Sequence, residues 1–131
     1  MGRHLSTIQP FKSDDLTITA QPPSTVKMQG VMAMRSPSQA LAPHLRAIHA
    51  AALADQVPEL TVDVTQLAHV NSASIFLFLD WARWIASEPA GKRYVLHFFT
   101  RSDVSWHELT LPTMQRICAG FVKVTASTAS A

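Results

Sequence analysis

A strand-like segment of this chain passes into a long apolar segment through four small residues, and this junction constrains the fold most. Residues 60–64 alternate apolar and polar side chains and are rich in β-branched residues, which is typical of a strand. Residues 75–85 are mostly apolar, longer than a typical strand and free of glycine and proline, which predicts a buried helix. Residues 71–74, Asn-Ser-Ala-Ser, stand between them. We therefore expect a helix that begins between Ser72 and Ile75, with its unpaired N–H groups at the polar stretch.

Strands and helices alternate along the rest of the chain. Further strands are predicted at 16–20, 25–34, 94–99 and 121–124. Residues 36–39 have the form of a capping box, and Pro43 either begins the next helix or kinks it. A last helix starts at 105–108, and Gly120 is suited to end it. This order predicts an α/β fold with a mixed sheet of four to five strands and helices packed mainly on one face.

The composition fits a single domain. The chain has 131 residues, of which 47% are hydrophobic and 15% charged, so it can fill a core. We expect the domain to span 15–125, with a flexible leader at 1–14 and a flexible tail at 126–131.

Charge and cysteine content exclude several classes of function. The net charge is only +2 without a Lys/Arg cluster, which argues against nucleic-acid binding. Cys118 is the only cysteine, so an internal disulfide is impossible and a reducing, cytoplasmic setting is expected. The longest apolar stretch is broken by Asp80 and Arg83, so no membrane span is predicted. The spacing of the six histidines predicts no metal site, and the four glycines form no phosphate cradle, so no cofactor is predicted.

Residues 63–76 resemble the signature of STAS domains, the domains of sulphate transporters and anti-sigma factor antagonists. That signature is an apolar strand ending in Asp, a short link, and Asp-Ser-Ser/Thr-Gly-Leu opening a helix. The chain matches it with Asp63 at the strand end, Asn71 at the signature Asp, Ser72 at the serine that antagonists phosphorylate, Ala73 at the second hydroxyl, Ser74 at the Gly and Ile75 at the Leu. Asn71 and Ser74 depart from the pattern, although a subset of bacterial regulators carries Asn-Ser/Thr there. Residues 111–115, which follow Trp106, also resemble that subset.

The resemblance covers about 15–125 and implies a non-enzymatic protein-binding regulator in a bacterial partner-switching pathway. Its implied partner is a serine kinase of the histidine-kinase-like ATPase fold, which can also be the anti-sigma factor. A phosphate on Ser72 would break the complex, and a metal-dependent serine/threonine phosphatase would remove it. Asn71, Ala73, Ser74 and Asp63 would form the loop that the partner contacts.

Each of these residues also has a simpler interpretation. Ser72 can serve only as a helix N-cap, and Asp63 only as a cap for the loop that follows its strand. The domain would then be a constitutive binding or scaffold module, or a domain that binds a small ligand at the same loop. His97, in an apolar strand, is expected to be a hydrogen-bonded core residue. Phe76 and Leu79 are expected in the core beneath the second helix.

Overall fold

The structure, a computed structural model, describes residues 5, 8–13, 15–21, 24–32, 39, 41–101, 113–118 and 120–127. Its strands are β1 (Phe11–Lys12), β2 (Leu16–Gln21), β3 (Thr25–Met32), β4 (Glu59–Val70), β5 (Val95–Arg101) and β6 (Val122–Ser127). Its helices are α1 (Ala42–Ala54) and α2 (Ser72–Ala86), a 3-10 turn at Ala90–Lys92, and a helical segment at 113–117. The predicted helix start at 105–108 lies outside the described residues.

The strands form one mixed sheet in which spatial order follows chain order. The order is β1-β2-β3-β4-β5-β6, with antiparallel pairing from β1 to β3 and parallel pairing from β3 to β6. The α/β class and the mixed sheet are therefore confirmed, but the sheet has six strands instead of four to five. The added strand is β1, which lies inside the predicted leader and pairs Phe11 with Ile18. Its Phe11 side chain packs against the core, which explains why this short segment is held in place.

The two faces of the sheet differ in polarity. One face carries the buried apolar side chains Leu16, Ile18, Val26, Met28, Leu60, Val62, Val64, Leu96, Phe98 and Val122. The opposite face, called here the polar face, carries the half-buried or exposed residues Thr17, Thr19, Lys27, Thr61, Asp63, His97, Lys123 and Thr125. Crossovers of one hand between successive neighbouring strands place their helices on the same side of a sheet. Helix α2 accordingly packs on the apolar face, with the Phe78 and Phe98 rings 5.7 Å apart.

Helix α1 begins at Ala42, one residue before the proline that was predicted either to start the helix or to kink it. Leu41 is the N-cap without a side-chain hydrogen bond, and Pro43 stands in the first turn, where its missing N–H has no intrahelical partner to lose. Residues 36–38 of the predicted capping box lie outside the described residues. The buried side of α1 includes Leu45, Ile48 and Ala52.

Strand β4 is much longer than the predicted strand at 60–64. It continues to Val70 because its second half pairs with β3 through two irregularities of register, between Lys27 and Gln29 and between Gly30 and Val31. Gly30 has φ +105° and lies against the start of β2, where a Cβ would stand 1.9 Å from the carbonyl oxygen of Asp15. Only glycine suits that position.

A buried hydrogen-bond network joins both helices to the entry of β5. The Trp81 indole N–H donates to the Tyr94 hydroxyl at 2.9 Å, and this hydroxyl lies 2.7 Å from His49 Nδ1. His49 Nε2 in turn faces Glu88 Oε2 at 3.4 Å. Burial lowers the pKa of His49, against the opposing effect of Glu88, and raises the pKa of Tyr94.

Candidate functional site

Asn71 closes the junction between β4 and α2. Its side-chain oxygen accepts a hydrogen bond from the Ser74 N–H at 3.0 Å, so Asn71 is the N-cap. Its backbone N–H donates to the Met32 carbonyl at 2.9 Å, which fixes the junction to the end of β3. Helix α2 begins at Ser72, so the predicted start between Ser72 and Ile75 is confirmed.

The structure separates the two serines of the junction. Ser74 is fully buried, and its hydroxyl donates to the Met32 carbonyl at 3.5 Å. Ser72 is the first residue of α2, and the neighbouring Ala73 is exposed. Ser74 is therefore part of the packing between α2 and β3, and an enzyme acting from solvent could not reach its hydroxyl in the folded chain.

Asp63 does not lie where the sequence predicts. It was expected at the end of a strand and beside the junction, but it lies inside β4 on the polar face, paired with Lys27 and Phe99. Its Oδ1 accepts hydrogen bonds from the Thr65 N–H at 2.9 Å and the Thr65 hydroxyl at 2.6 Å. This local cap stabilises β4 where its register with β3 shifts, so the structure does not bring Asp63 to the junction.

The outward side of α2 carries an aromatic ring. Phe76 is 64% exposed, which corrects the expectation that it belongs to the core, whereas Leu79 is half-buried and packs against the core. The difference follows from helix geometry, because the buried residues Leu77, Phe78 and Trp81 already define the inner side. Phe76 lies four residues after Ser72, so it follows Ser72 by about one turn on the same side of α2.

A second polar cluster, called here the His97 cluster, lies on the polar face and was missed by the sequence analysis. His97 Nδ1 lies 2.9 Å from Glu59 Oε2, and His97 Nε2 lies 2.6 Å from Thr125 Oγ1. Lys123 Nζ lies 3.3 Å from Glu59 Oε1. His97 is hydrogen-bonded as expected, but it lies outside the core. The signal in the sequence was polar His97 between apolar Leu96 and Phe98, since neighbouring residues of a strand point to opposite faces.

A pocket of about 730 Å³ lies near the other end of α2, where its lining includes Val57, Glu88, Lys92 and Arg93. Helix α2 has 15 residues, so this pocket is about 22 Å from the junction at Ser72. The small-ligand interpretation of the junction therefore gains no support from this pocket.

No three His, Cys, Asp or Glu side chains in the described residues are grouped so that they could hold a metal ion. No helix in that part of the chain is long and apolar enough to cross a membrane.

The junction combines a neutral cap, a serine at the first helical position, a buried second serine and an exposed aromatic ring. No protein-family model, no curated protein and no solved structure matches this chain.

Proposed function

We propose that this chain is a cytoplasmic, phospho-switchable protein-binding regulator of the anti-sigma factor antagonist type. Ser72 is the phosphoacceptor in this proposal. The partner is a serine kinase of the histidine-kinase-like ATPase fold, and a metal-dependent serine/threonine phosphatase restores the binding-competent form. Ala73 and Phe76 form the contact surface, whereas Asn71 and Ser74 hold its backbone and Asp63 has no direct part.

Exposure of Phe76 one turn after Ser72 is the observation that carries the proposal. A ring that is 64% exposed contributes little to the stability of the domain that bears it. Burying such a side chain in a complex contributes about 1.5–3 kcal/mol, and aromatic residues are common anchors of interfaces. A phosphate at the first turn of the same helix would stand beside that anchor.

The charges of the first turn favour a switch that acts on the partner and leaves the domain folded. Helix α2 has no acidic residue in its first turn, and its cap Asn71 is neutral. A phosphate carries about −1.5 to −2 charges at neutral pH, and the helix N-terminus stabilises an exposed negative charge by about 0.3–1 kcal/mol. Burying that unpaired charge against a partner costs several kcal/mol, enough to weaken a tight complex strongly.

Burial argues against the neighbouring Ser74 as the phosphoacceptor. The Ser74 hydroxyl is fully buried against Met32, so a kinase would have to open the helix to modify it. The proposal therefore places the phosphate on Ser72, the first residue of α2.

The test uses the serine kinase of histidine-kinase-like fold encoded nearest to this gene. Peptide mass spectrometry after incubation with ATP and kinase should place one phosphate on Ser72 in the unchanged chain and none in Ser72→Ala. Affinity should fall at least about 100-fold on phosphorylation, which corresponds to about 2.7 kcal/mol. Ser72→Asp should give a smaller loss, because it brings one charge and lacks the bulk of a phosphate.

Phe76→Ala tests the contact surface separately. It should weaken the complex by at least about 10-fold while leaving the free energy of unfolding, measured by urea titration, within about 0.5 kcal/mol of that of the unchanged chain. Ile117→Ala is the matched control, because Ile117 is 67% exposed and lies on a different helical segment. Equal affinities for the unmodified, phosphorylated and Ser72→Asp chains would leave Ser72 as a structural residue and favour the constitutive binding module.

A further inference from the structure

The His97 cluster places a hydroxyl, an imidazole and a carboxylate in one line of hydrogen bonds. Glu59 comes from β4, His97 from β5 and Thr125 from β6, which are neighbouring parallel strands. The His97 ring lies 2.9 Å from Glu59 Oε2 through Nδ1 and 2.6 Å from Thr125 Oγ1 through Nε2. Because the sheet register sets the position of each strand, this spacing does not depend on a loop.

The direction of the hydrogen bonds follows from the chemistry of the three groups. The hydrogen bond with His97 lowers the pKa of Glu59, so its carboxylate is ionised near neutral pH and can only accept hydrogen bonds. Donation to that carboxylate requires a proton on His97 Nδ1, and the neutral tautomer with this proton presents the Nε2 lone pair to Thr125. The Thr125 hydroxyl then donates to Nε2, which is the arrangement that activates a hydroxyl as a nucleophile.

The surroundings hold the imidazole in place and leave the hydroxyl accessible. The His97 side chain is only 12% exposed, and the Phe99 ring meets it edge-on with 4.7 Å between ring centroids. Thr125 is exposed at the outer strand of the sheet. Lys123 stands two residues before Thr125 on the same face, and its ammonium lies 3.3 Å from Glu59 Oε1, so it adds a positive charge to the cluster.

We propose that Thr125 is a reactive hydroxyl that accepts an acyl group from an activated carboxylic ester, with His97 as general base and Glu59 as a positioning residue. Phe99 is directly beside Thr125 in the sheet and is 39% exposed, so it offers the acyl donor an apolar contact. This reactivity is independent of any switch at Ser72, so either proposal can fail without the other.

The step is a simple acyl transfer. Thr125 Oγ1 attacks the carbonyl carbon of the ester while its proton passes to His97 Nε2. The tetrahedral intermediate collapses with cleavage of the carbon–oxygen bond to the leaving group, which departs as the alkoxide or phenolate. The proton on His97 then passes to the leaving group or to water, and the product is an ester of Thr125.

The test uses p-nitrophenyl acetate, whose leaving group is coloured and requires no protonation to depart. We expect a burst of p-nitrophenolate of about one equivalent per chain, and an acetyl group that peptide mass spectrometry locates on Thr125. Thr125→Val should abolish the burst, and Thr125→Ser should retain it. His97→Gln should slow it by at least about 100-fold, the usual contribution of a general base.

Glu59→Gln separates positioning from folding. The amide cannot hold His97 in one tautomer, so the maximal rate should fall at least about 10-fold while the ester concentration at half-maximal rate stays unchanged. Glu59→Asp should restore part of the rate.

Thr61→Val is the matched control. Thr61 lies on the same face and pairs with His97 in the sheet, but both ring nitrogens of His97 are engaged by Glu59 and Thr125. Its burst should equal that of the unchanged chain, and circular dichroism should show every variant folded. A burst that survives in Thr125→Val, or acetyl groups spread evenly over surface threonines and lysines, would overturn the proposal.

Discussion

Replacing Tyr94 with Phe would remove one hydroxyl from the buried network and leave the aromatic ring in place. The indole N–H of Trp81 can only donate, so the Tyr94 hydroxyl accepts it at 2.9 Å. With His49 Nε2–H donating to Glu88, His49 Nδ1 accepts the Tyr94 hydroxyl proton at 2.7 Å. One oxygen thus holds together α2, α1 and the residue that precedes β5. The substitution leaves two partner groups without their hydrogen bond.

The burial of these groups sets the size of the effect. Tyr94 is 2% exposed, Trp81 0% and His49 8%, so water has little access to replace the lost oxygen. Each hydrogen bond contributes about 0.5–1.5 kcal/mol, and a buried partner left unsatisfied costs about 1–3 kcal/mol. We therefore expect Tyr94→Phe to lower the free energy of unfolding by about 2–4 kcal/mol, a large share of the stability of a small domain.

Urea titration followed by far-ultraviolet circular dichroism measures this loss. Trp81→Phe completes a double-mutant cycle, in which the two losses should be coupled by at least about 0.5 kcal/mol because they remove the same bond. Thr61→Val, which removes a hydroxyl from the polar face, should change the midpoint little. A loss of unfolding free energy below about 0.5 kcal/mol in Tyr94→Phe would refute the reasoning, because the two hydrogen bonds of the hydroxyl would then contribute almost nothing to stability.

Two further predictions concern the backbone and the pH dependence of stability. Gly30→Ala should lower the free energy of unfolding by at least about 2 kcal/mol in a urea titration, because φ is +105° and the new Cβ would clash with the Asp15 carbonyl oxygen. The control Gly91→Ala should be nearly neutral in the same titration, because no atom lies within 4 Å of its new Cβ. Burial lowers the pKa values of His44 and His49 below the ordinary 6.5. Just below pH 6.5 these histidines therefore bind more protons in the unfolded chain than in the folded chain. Stability should therefore be highest above about pH 6.5 and fall as the pH drops below it, and a flat urea midpoint between about pH 7.5 and pH 5.5 would contradict this.

The order of elements could be predicted because it depends on local patterns. Apolar residues alternate along β2, form a short apolar run in β5 and recur with helical spacing along α1, and all three patterns are visible in a single sequence. Strand β1 has two residues and no period, so only its pairing with β2 defines it. The second half of β4 was missed for a related reason, because irregular pairing with β3 interrupts its alternation.

The sequence could predict the candidate site only where neighbouring residues alone determine the structure. The start of α2 at Ser72 was predicted because a cap residue before an apolar run is a local signal. The direction in which Phe76 points depends on which side of α2 meets the sheet, and an almost wholly apolar helix does not reveal this. The His97 cluster depends on the lateral order of three strands, so the separate positions of Glu59, His97 and Thr125 in the sequence give no sign that they meet.

The chain-order arrangement of the sheet has a consequence for how the molecule folds. Because each parallel strand joins the edge left by the strand before it, no later strand must insert between two that are already paired. A chain emerging from the ribosome folds from its N-terminal end, so we expect the hairpin of β2 and β3 to serve as the template on which β4, β5 and β6 assemble in turn. Strand β6 brings Lys123 and Thr125, and the hydrogen bond from Thr125 to His97 therefore forms only after the last strand has docked. Acquisition of the Thr125 reactivity would then report completion of folding, at a later time than the burial of Trp81.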